Sequence, residues 1–385
     1  MKSIEKVLPA PVESAKQPRV NNLTPFHTQY LQMLDVADQT FHVIVARQTF
    51  DLNKITDDDM PALAQTQEPL CVEDQYYGEP ETSSLIQESD LAPYKPNCDL
   101  LFNHVIAYAP DNKPRKSWPI AVQVGDWHKE LSVVGSRYLE PSVLAGWVLS
   151  EPDACLEVPV RYEYAWGGTC RLPLTAKSNE AAEQYWGFSE NPVGRGYAHS
   201  EWLKKSKVAD VDAPQIEVYK QPFKVKNALK QEYPVVGLGA ISRWWQPRLQ
   251  FAGTYDEQWR RTRWPRLPED FEFNYWNCAP EEQQIPYPVG GEQVVLSGIT
   301  PEGQLSFKLP KEPIMLLLHL NAGFPLLKRM NTDTVIFNLA TMQLSIVQRA
   351  LVSVDTDVAA IDIGQWDVAQ ARAHNDALYE QGRLS

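Results

Sequence analysis

Residues 119–135 read PIAVQVGDWHKELSVVG, and this stretch decides the fold class. Glycine stands first in the central Gly125-Asp126 pair, as a two-residue type II′ turn requires, so the flanking residues are predicted to form a hairpin. The predicted register places Val124 opposite Trp127, Val122 opposite Lys129 and Ile120 opposite Leu131. Mostly apolar residues then share one face, which predicts a half-buried antiparallel sheet.

Strand patterns recur on both sides of this hairpin. Seven further runs are rich in β-branched and aromatic residues or alternate apolar with polar ones: 41–50, 101–108, 292–298, 304–310, 314–320, 334–339 and 342–352. A Thr-Pro-Glu-Gly turn at 300–303 joins two of them. The sequence therefore predicts a mainly β protein, with antiparallel sandwich-like sheets, long ordered loops and a few short helices.

The predicted organisation is an arm, a body and a tail. Residues 1–21 are polar and lack periodicity, which is typical of a flexible N-terminal arm. The body, residues 22–355, consists of a β block at 22–165, a loop-rich middle at 166–289 and a β block at 290–355. The C-terminal tail, residues 356–385, is predicted to be partly helical, with a helix at 367–380, and another short helix is expected at 179–185.

Composition excludes several classes of protein. No apolar run among the 385 residues approaches the roughly 20 needed to span a bilayer, so we expect no membrane partner. A formal net charge of −13 argues against a general nucleic-acid binder. The N-terminus lacks the apolar stretch of a secretory signal, and the five cysteines are an odd number without CxxC spacing. We therefore expect reduced thiols and a cytoplasmic protein.

Charge is distributed unevenly along the chain. Residues 51–99 carry 12 acids and two lysines, a net −10, whereas residues 224–266 carry nine bases and three acids, a net +6. One interpretation is that these segments lie against each other or are simply solvated. The other is that they form two docking surfaces of opposite sign.

The sequence offers little catalytic chemistry. The seven histidines are scattered without a metal-ligand spacing, and no GxSxG elbow is present, so we expect no metal and no cofactor. Paired carboxylates at Asp57-Asp58-Asp59, at Glu88 with Asp90 and at Asp256-Glu257 could flank a glycosidic bond. A glycan-binding or glycan-cleaving β-sandwich is therefore the alternative hypothesis. Residues 224–266 also interleave Arg with Trp, which fits either stacking on single-stranded nucleic acid or internal cation–π pairs; the overall charge favours the internal pairs.

Six unusual strings occur in one order along the chain. They are YYGEPETSSLIQESDLAPYKPNCDLL (76–101), YEYAWGG (162–168), ENPVGRGY (190–197), WWQPRLQFAGTYDEQW (244–259), LPEDFEFNYWNCAPEEQQ (267–284) and GGE (290–292). This succession resembles the DUF2169 family over residues 22–352, nearly the whole chain. The resemblance implies a non-catalytic cytoplasmic adaptor or chaperone, which binds a cognate secreted effector of a bacterial type VI secretion system and helps to load it on the VgrG–PAAR spike.

The resemblance supplies no catalytic residues, and the matching positions are interpreted as structural. This signature set is Tyr76, Tyr77, Gly78, Glu79, Glu88, Asp90, Gly167, Gly168, Arg195, Arg248 and Asp256. Partner contacts are instead expected from exposed members of the charged and aromatic segments. These candidates are Trp244, Trp245, Arg260, Arg261, Arg263, Asp57, Asp58 and Asp59.

Overall fold

The structure, a computed structural model, describes residues 17–144, 146–172, 184–206 and 210–380, apart from the side chains of Ser206 and Tyr379. Within these residues the protein is mainly β, with mostly antiparallel sheets and a few short helices, which confirms the predicted fold class.

The strands of the described residues are numbered in chain order. Strands β1–β9 are Arg19–Asn22, His27–Leu34, Thr40–Ile55, Pro61–Leu63, Gln75–Tyr76, Leu85–Gln87, Cys98–Asn103, Ile106–Tyr108 and Ser117–Val124. Strands β10–β18 are Trp127–Val134, Tyr138–Ser142, Gly146–Leu149, Glu157–Pro159, Trp166–Gly167, Thr169–Leu172, Gln184–Gly187, Arg195–Gly196 and Val211–Asp212. Strands β19–β27 are Ile216–Val218, Gln284–Ile285, Gln293–Ser297, Gln304–Lys308, Met315–Leu320, Leu326–Arg329, Asn331–Asn338, Gln343–Ser353 and Val358–Gly364.

Helices are short except the last. Helices α1–α5 are Ser200–Ser206, Val225–Lys230, Gln246–Leu249, Glu257–Thr262 and Val368–Glu380. Single 3₁₀ turns occupy Pro110–Asn112, Tyr162–Tyr164, Phe273–Trp276, Glu281–Gln283 and Val354–Thr356.

A seven-stranded sheet is the centre of the molecule. Its strands follow the order β2-β3-β26-β25-β7-β20, and β4 pairs with β3 on the edge opposite β26, beyond the end of β2. Neighbours are antiparallel except β25 and β7, which run parallel. Strands from the predicted blocks 22–165 and 290–355 pair with each other here, so the two blocks share one sheet, and β20 comes from the predicted loop-rich middle.

The predicted hairpin is confirmed residue by residue. β9 and β10 pair with Val124 opposite Trp127, Val122 opposite Lys129 and Ile120 opposite Leu131. Gly125 has a φ of 57°, as the first position of a type II′ turn demands. The hairpin forms the middle of a five-stranded sheet of order β19-β10-β9-β21-β22, and the predicted turn at 300–303 joins β21 to β22.

Both chain ends differ from their predictions, because each supplies a strand to a four-stranded sheet of order β1-β27-β23-β24. Residues 19–22 form β1 and pair in parallel with β27, although residues 19–21 are predicted as part of the flexible arm; residues 1–16 lie outside the described part of the chain. β27 itself lies in the predicted tail. It is a strand because Ile361 and Ile363 pack into a core against the central sheet. The short apolar pattern of this strand does not predict that tertiary contact. Helix α5 coincides with the helix predicted at 367–380.

Two other predictions need correction. Residues 184–187 form β16 and not the end of a helix; residues 179–183 of that predicted helix lie outside the described residues. The run 101–108 is not one strand, because His104 adopts a φ of 55° and separates β7 from β8. A positive φ at a non-glycine residue interrupts the extended backbone that a strand needs.

One face of the seven-stranded sheet is apolar and packs against the two smaller sheets. Phe50 and Leu52 of β3 join a core with the five-stranded sheet, whereas Ile44 and Ala46 of the same strand join a core with the four-stranded sheet. The opposite face is covered by loops from residues 67–97 and 240–283. These loops include the segment in which partner contacts are predicted.

Candidate partner-binding surface

The aromatic segment, defined here as residues 241–276, is fixed to the body by Arg248. This buried guanidinium donates to both carboxylate oxygens of Glu88 at 3.0 and 3.1 Å, and to the carbonyls of Ile241 and Tyr275. Burial alone lowers the pKa of Arg248, but Glu88 raises the pKa above its ordinary value. Because release would leave two unpaired charges in a low dielectric, the pair holds the segment in one position.

A second anchor fixes helix α4. Arg263 and Arg266 each donate to Asp38 Oδ2 at 3.0 Å, and Asp38 lies in the turn between β2 and β3. Asp256 Oδ1 accepts the N–H of Trp259 at 2.7 Å and so caps the first turn of the helix. The segment is therefore held at both ends by charged side chains.

The same segment presents large side chains to solvent. Six such residues are named the aromatic surface: Trp244, Leu249, Tyr255 and Trp264, which are 40, 47, 54 and 52% exposed, with Arg260 and Arg261 on α4. Trp, Tyr and Arg are the residues most enriched where binding energy concentrates in protein interfaces. They combine a large contact area with hydrogen-bonding groups. The residue types of this surface are those enriched in protein interfaces.

Two of the predicted contact residues are not available on this surface. Trp245 is completely buried in the main core, edge-on to Tyr162, so its prediction as a contact residue is wrong. Arg263 is mostly buried and is held by Asp38. Trp244 and Trp245 are neighbours of identical chemistry, and only their tertiary surroundings separate an exposed ring from a core ring.

The predicted acidic contacts lie elsewhere, in the turn between β3 and β4. Asp57, Asp58 and Asp59 are exposed and border a cavity of about 440 Å³ together with Lys308 and Lys311. Asp59 pairs with Lys308 at 3.0 Å. No described contact joins this turn to the aromatic surface, so the structure does not bring the two groups of predicted contacts together.

The two segments of opposite charge do meet. Arg243 of the basic segment pairs with Asp74 and Glu88 of the acidic one, each at 2.9 Å, and Arg248 also binds Glu88. Some of the charges of the acidic and basic segments are therefore paired with each other within the protein.

The acidic members of the signature set have structural partners. Glu88 binds Arg248, and Asp90 accepts from Arg47 at 3.1 Å and from the N–H of Cys71 at 2.8 Å. Asp256 is the cap of α4. Arg195 donates to the carbonyl of Glu163 at 2.8 Å and stacks over Tyr164. The carboxylates considered for glycan cleavage at residues 88, 90 and 256 thus accept hydrogen bonds that fix loops.

The remaining signature residues hold backbone close together. Gly167 has a φ of 145°, and a Cβ there would lie 2.1 Å from the carbonyl oxygen of Asn191, which no other residue could accept. Gly168 has a φ of 114°. Tyr77 accepts the N–H of His104 at 2.9 Å through its hydroxyl, while Tyr76 packs beside a core. The N–H of Gly78 and the carbonyl of Glu79 both bond to the hydroxyl of Ser83.

The surroundings of the five cysteine thiols lower their reactivity. Cys71, Cys98, Cys170 and Cys278 are buried, and Cys155 is partly buried. Burial raises the pKa of each thiol, that of Cys71 to about 11. At neutral pH these thiols are protonated, and a protonated thiol is a poor nucleophile.

Sequence reasoning missed a network of buried charges under the loops. Its pairs are Arg47 with Asp90, Arg349 with Asp333 and Lys95 with Asp99. A signal was present, because Arg47 and Arg349 interrupt otherwise buried strands. Charged residues in such positions are almost never fully buried without a partner.

The fold defines a class: a mainly β protein whose central sheet is covered by sheets on one face and by charged loops on the other. The chain belongs to the family described as "Uncharacterized protein conserved in bacteria (DUF2169)", whose model matches residues 37–349. No curated protein and no solved structure matches it. In the described part of the chain, no helix combines the length and apolar character that crossing a membrane requires.

Proposed function

We propose that this protein is a non-catalytic adaptor or chaperone that binds a type VI secretion effector in the cytoplasm and assists its loading on the VgrG–PAAR spike. The observation that carries the proposal is the aromatic surface, whose four large exposed side chains and two exposed arginines belong to a segment held by the ion pairs of Arg248 and Arg263. A rigid surface loses little conformational entropy on binding, so more of the contact energy appears as affinity.

The hydrogen bonds that the carboxylates accept support binding over catalysis. Glu88, Asp90 and Asp256 accept hydrogen bonds from arginine or backbone groups of this chain. A general acid needs a raised pKa and a free path to substrate. Carboxylates occupied by arginine are poorly suited to that role.

One observation favours the alternative, a glycan-binding protein. A polar cleft of about 420 Å³ lies between residues 68–75 and the central sheet, and its volume is within the range of small-molecule sites. Amide and hydroxyl groups of Gln87, Asn338, Thr341, Gln343 and Ser345 line it. Such groups suit sugar hydroxyls, and a glycan array with purified protein tests this alternative.

Co-expression with the products of neighbouring genes tests the adaptor proposal. The wild-type chain is expected to capture one product, and the double variant Trp244→Ala/Tyr255→Ala to lose at least about tenfold in affinity, since interface aromatics each contribute roughly 2 kcal/mol or more at binding centres. Tyr185→Ala, an exposed aromatic outside the surface, is the matched control. If the double variant and the control variant both capture the product as the wild-type chain does, binding would be assigned to another surface. If no product is captured, the proposal would be contradicted.

A further inference from the structure

One edge of the four-stranded sheet is open in the described part of the chain. β24 pairs only with β23. The N–H of Met330 donates to the carbonyl of Ile314 at 3.0 Å, in the same register as this ladder. Because alternate residues of an antiparallel strand face the neighbour, Leu327 and Arg329 direct their N–H and C=O groups outwards, and no described backbone group bonds to them.

The edge strand β22 of the five-stranded sheet shows the contrast. The N–H of Gly298 donates to the carbonyl of Gly303 at 2.7 Å, so the same alternation turns Ser306 and Lys308 outwards. The N–H of Lys308 is nevertheless occupied, because it donates to the carbonyl of Asp59 at 2.7 Å. The turn between β3 and β4 therefore caps part of this edge, whereas β24 has no comparable cap among the described residues.

The surroundings of β24 are apolar at one end and basic at the other. Phe324, just before the strand, is 90% exposed, and Leu326 is 47% exposed. Lys328 and Arg329 at the other end are also exposed. An extended peptide along this edge would meet apolar side chains first and cations second.

The basic end borders a cationic cleft of about 140 Å³. Lys328 and Arg329 line its mouth, while Lys95, Arg349 and Asp333 line its buried part. Lys95 and Arg349 are neutralised by their ion pairs with Asp99 and Asp333, so Lys328 and Arg329 give the cleft its positive charge, in a chain whose net charge is −13. The volume is well below the roughly 300–1,000 Å³ of small-molecule sites, so the cleft suits a single acidic side chain of a larger partner.

We infer that β24 binds an extended acidic segment of a partner protein by strand addition, with a carboxylate of that segment placed at the cationic cleft. Main-chain hydrogen bonds from Leu327 and Arg329 supply the pairing, and the cations select the side chain. The inference rests on the proposed function only for the identity of the partner. A second copy of this chain is a poorer occupant, because pairing two β24 edges brings like charges of both copies together.

A synthetic probe tests the edge without the effector. The probe is a fluorescein-labelled decapeptide of alternating Glu with Val or Thr, and its counterpart carries Gln in place of Glu. Anisotropy with the full chain is expected to show binding of the Glu peptide, at least about fivefold weaker binding of the Gln peptide, and loss of binding at high salt.

Two variants and one control locate the binding. Leu327→Pro removes an outward N–H without removing a bond to β23, since proline is tolerated on a strand edge that faces solvent. It is expected to weaken binding roughly tenfold, as loss of about one hydrogen bond does. Lys328→Glu is expected to weaken it at least as much through charge reversal. Ser306→Pro, the matched change on the edge of β22, should leave binding unchanged.

The outcomes separate this inference from the proposed function. Failure of the Glu peptide to bind, or binding that neither Leu327→Pro nor Lys328→Glu weakens, would overturn the strand-addition inference even if an effector is captured. A dimer in solution that Leu327→Pro dissociates would overturn it in favour of a second copy. Probe binding at β24 without capture of any neighbouring gene product would support the inference and contradict the type VI role alone.

Discussion

The two faces of the seven-stranded sheet are buried by different means. On one face Phe50 and Phe337 pack against the five-stranded sheet, in a core made of apolar side chains. On the other face, loops reach Arg47 and Asp99 of the sheet through buried ion pairs. Arg349 pairs with Asp333 of β25 and donates to the loop carbonyls of Asp90 and Ala92. An apolar face needs only matching shape, whereas a charged face needs a specific partner for every ion. The charged face therefore fixes the loops in one arrangement, and those loops carry the aromatic surface.

Removing Phe337 should show the largest effect, on the apolar face. The ring is completely buried and stacks on Phe102 with centroids 4.6 Å apart. Phe337→Ala is expected to lower the free energy of unfolding by about 3–5 kcal/mol, because it leaves a cavity as well as losing burial. Urea unfolding measures this, with Phe337→Leu as the control that keeps most of the volume. A loss below about 1 kcal/mol for the alanine variant would mean that this face is not close-packed.

Removing one ion should cost nearly as much on the charged face. Asp333 accepts from Arg349 Nε at 2.6 Å, and both side chains are buried. Asp333→Leu leaves a buried guanidinium without its carboxylate and is expected to cost about 3 kcal/mol.

The double variant distinguishes the two faces. Asp333→Leu/Arg349→Met removes both charges, so it should be less destabilised than the sum of the single variants by at least about 1 kcal/mol. Additive losses in urea unfolding would show that the ions act independently and would remove the distinction between the faces.

The sequence predicts the apolar face far better than the charged one. Period-two alternation and a Gly-Asp turn are local signals, and they fixed the hairpin register correctly at three residue pairs. The partners of Arg47 and Arg349 lie in other loops and strands, and nothing local indicates them. A bulge between Thr332 and Thr334 adds to the difficulty, because the irregular register turns Asp333 towards Arg349.

The candidate surface shows the same limit. Residue type indicated a stretch rich in Trp and Arg, and Trp244, Arg260 and Arg261 are indeed exposed. Trp245 is in the core instead, and Arg263 binds Asp38 across 225 residues of sequence. Exposure depends on contacts distant in the chain, so composition locates the segment but cannot select its surface members. Their role in binding stays a prediction.

In the four-stranded sheet, too, strand β27 has apolar side chains on one face and a charged side chain on the other. Ile361 and Ile363 of β27 face the core, and Asp362 between them faces the other way. Burial alone raises the pKa of Asp362, but hydrogen bonds from His319, Asn21 and His374 outweigh it. The pKa falls from an ordinary 3.8 to about 2. This carboxylate thereby ties β1, β23 and helix α5 together.

Stability should depend on this carboxylate in acid. Because the pKa is lower in the folded state, the ionised group stabilises the fold fully above about pH 4, and the contribution is lost as the pH falls towards 2. Asp362→Asn is expected to cost about 1–2 kcal/mol at pH 5 and much less at pH 2. Unfolding at both pH values measures the difference, with Asp58→Asn in an exposed turn as the control. A cost independent of pH would contradict the assignment.

The smallest effect on stability is expected at Arg261, in the same segment as the buried Arg248. Arg261 pairs with Glu257 at 3.0 Å, but their side chains are 73 and 60% exposed. Water screens such a pair, so Arg261→Ala should change the free energy of unfolding by less than about 0.5 kcal/mol. Arg263→Ala, two residues further along the chain but bound to Asp38, should cost more than twice as much. If thermal and urea unfolding rank these two variants the other way, the pair between Arg263 and Asp38 does not hold α4 in place, and the rigidity on which binding by the aromatic surface depends would be absent.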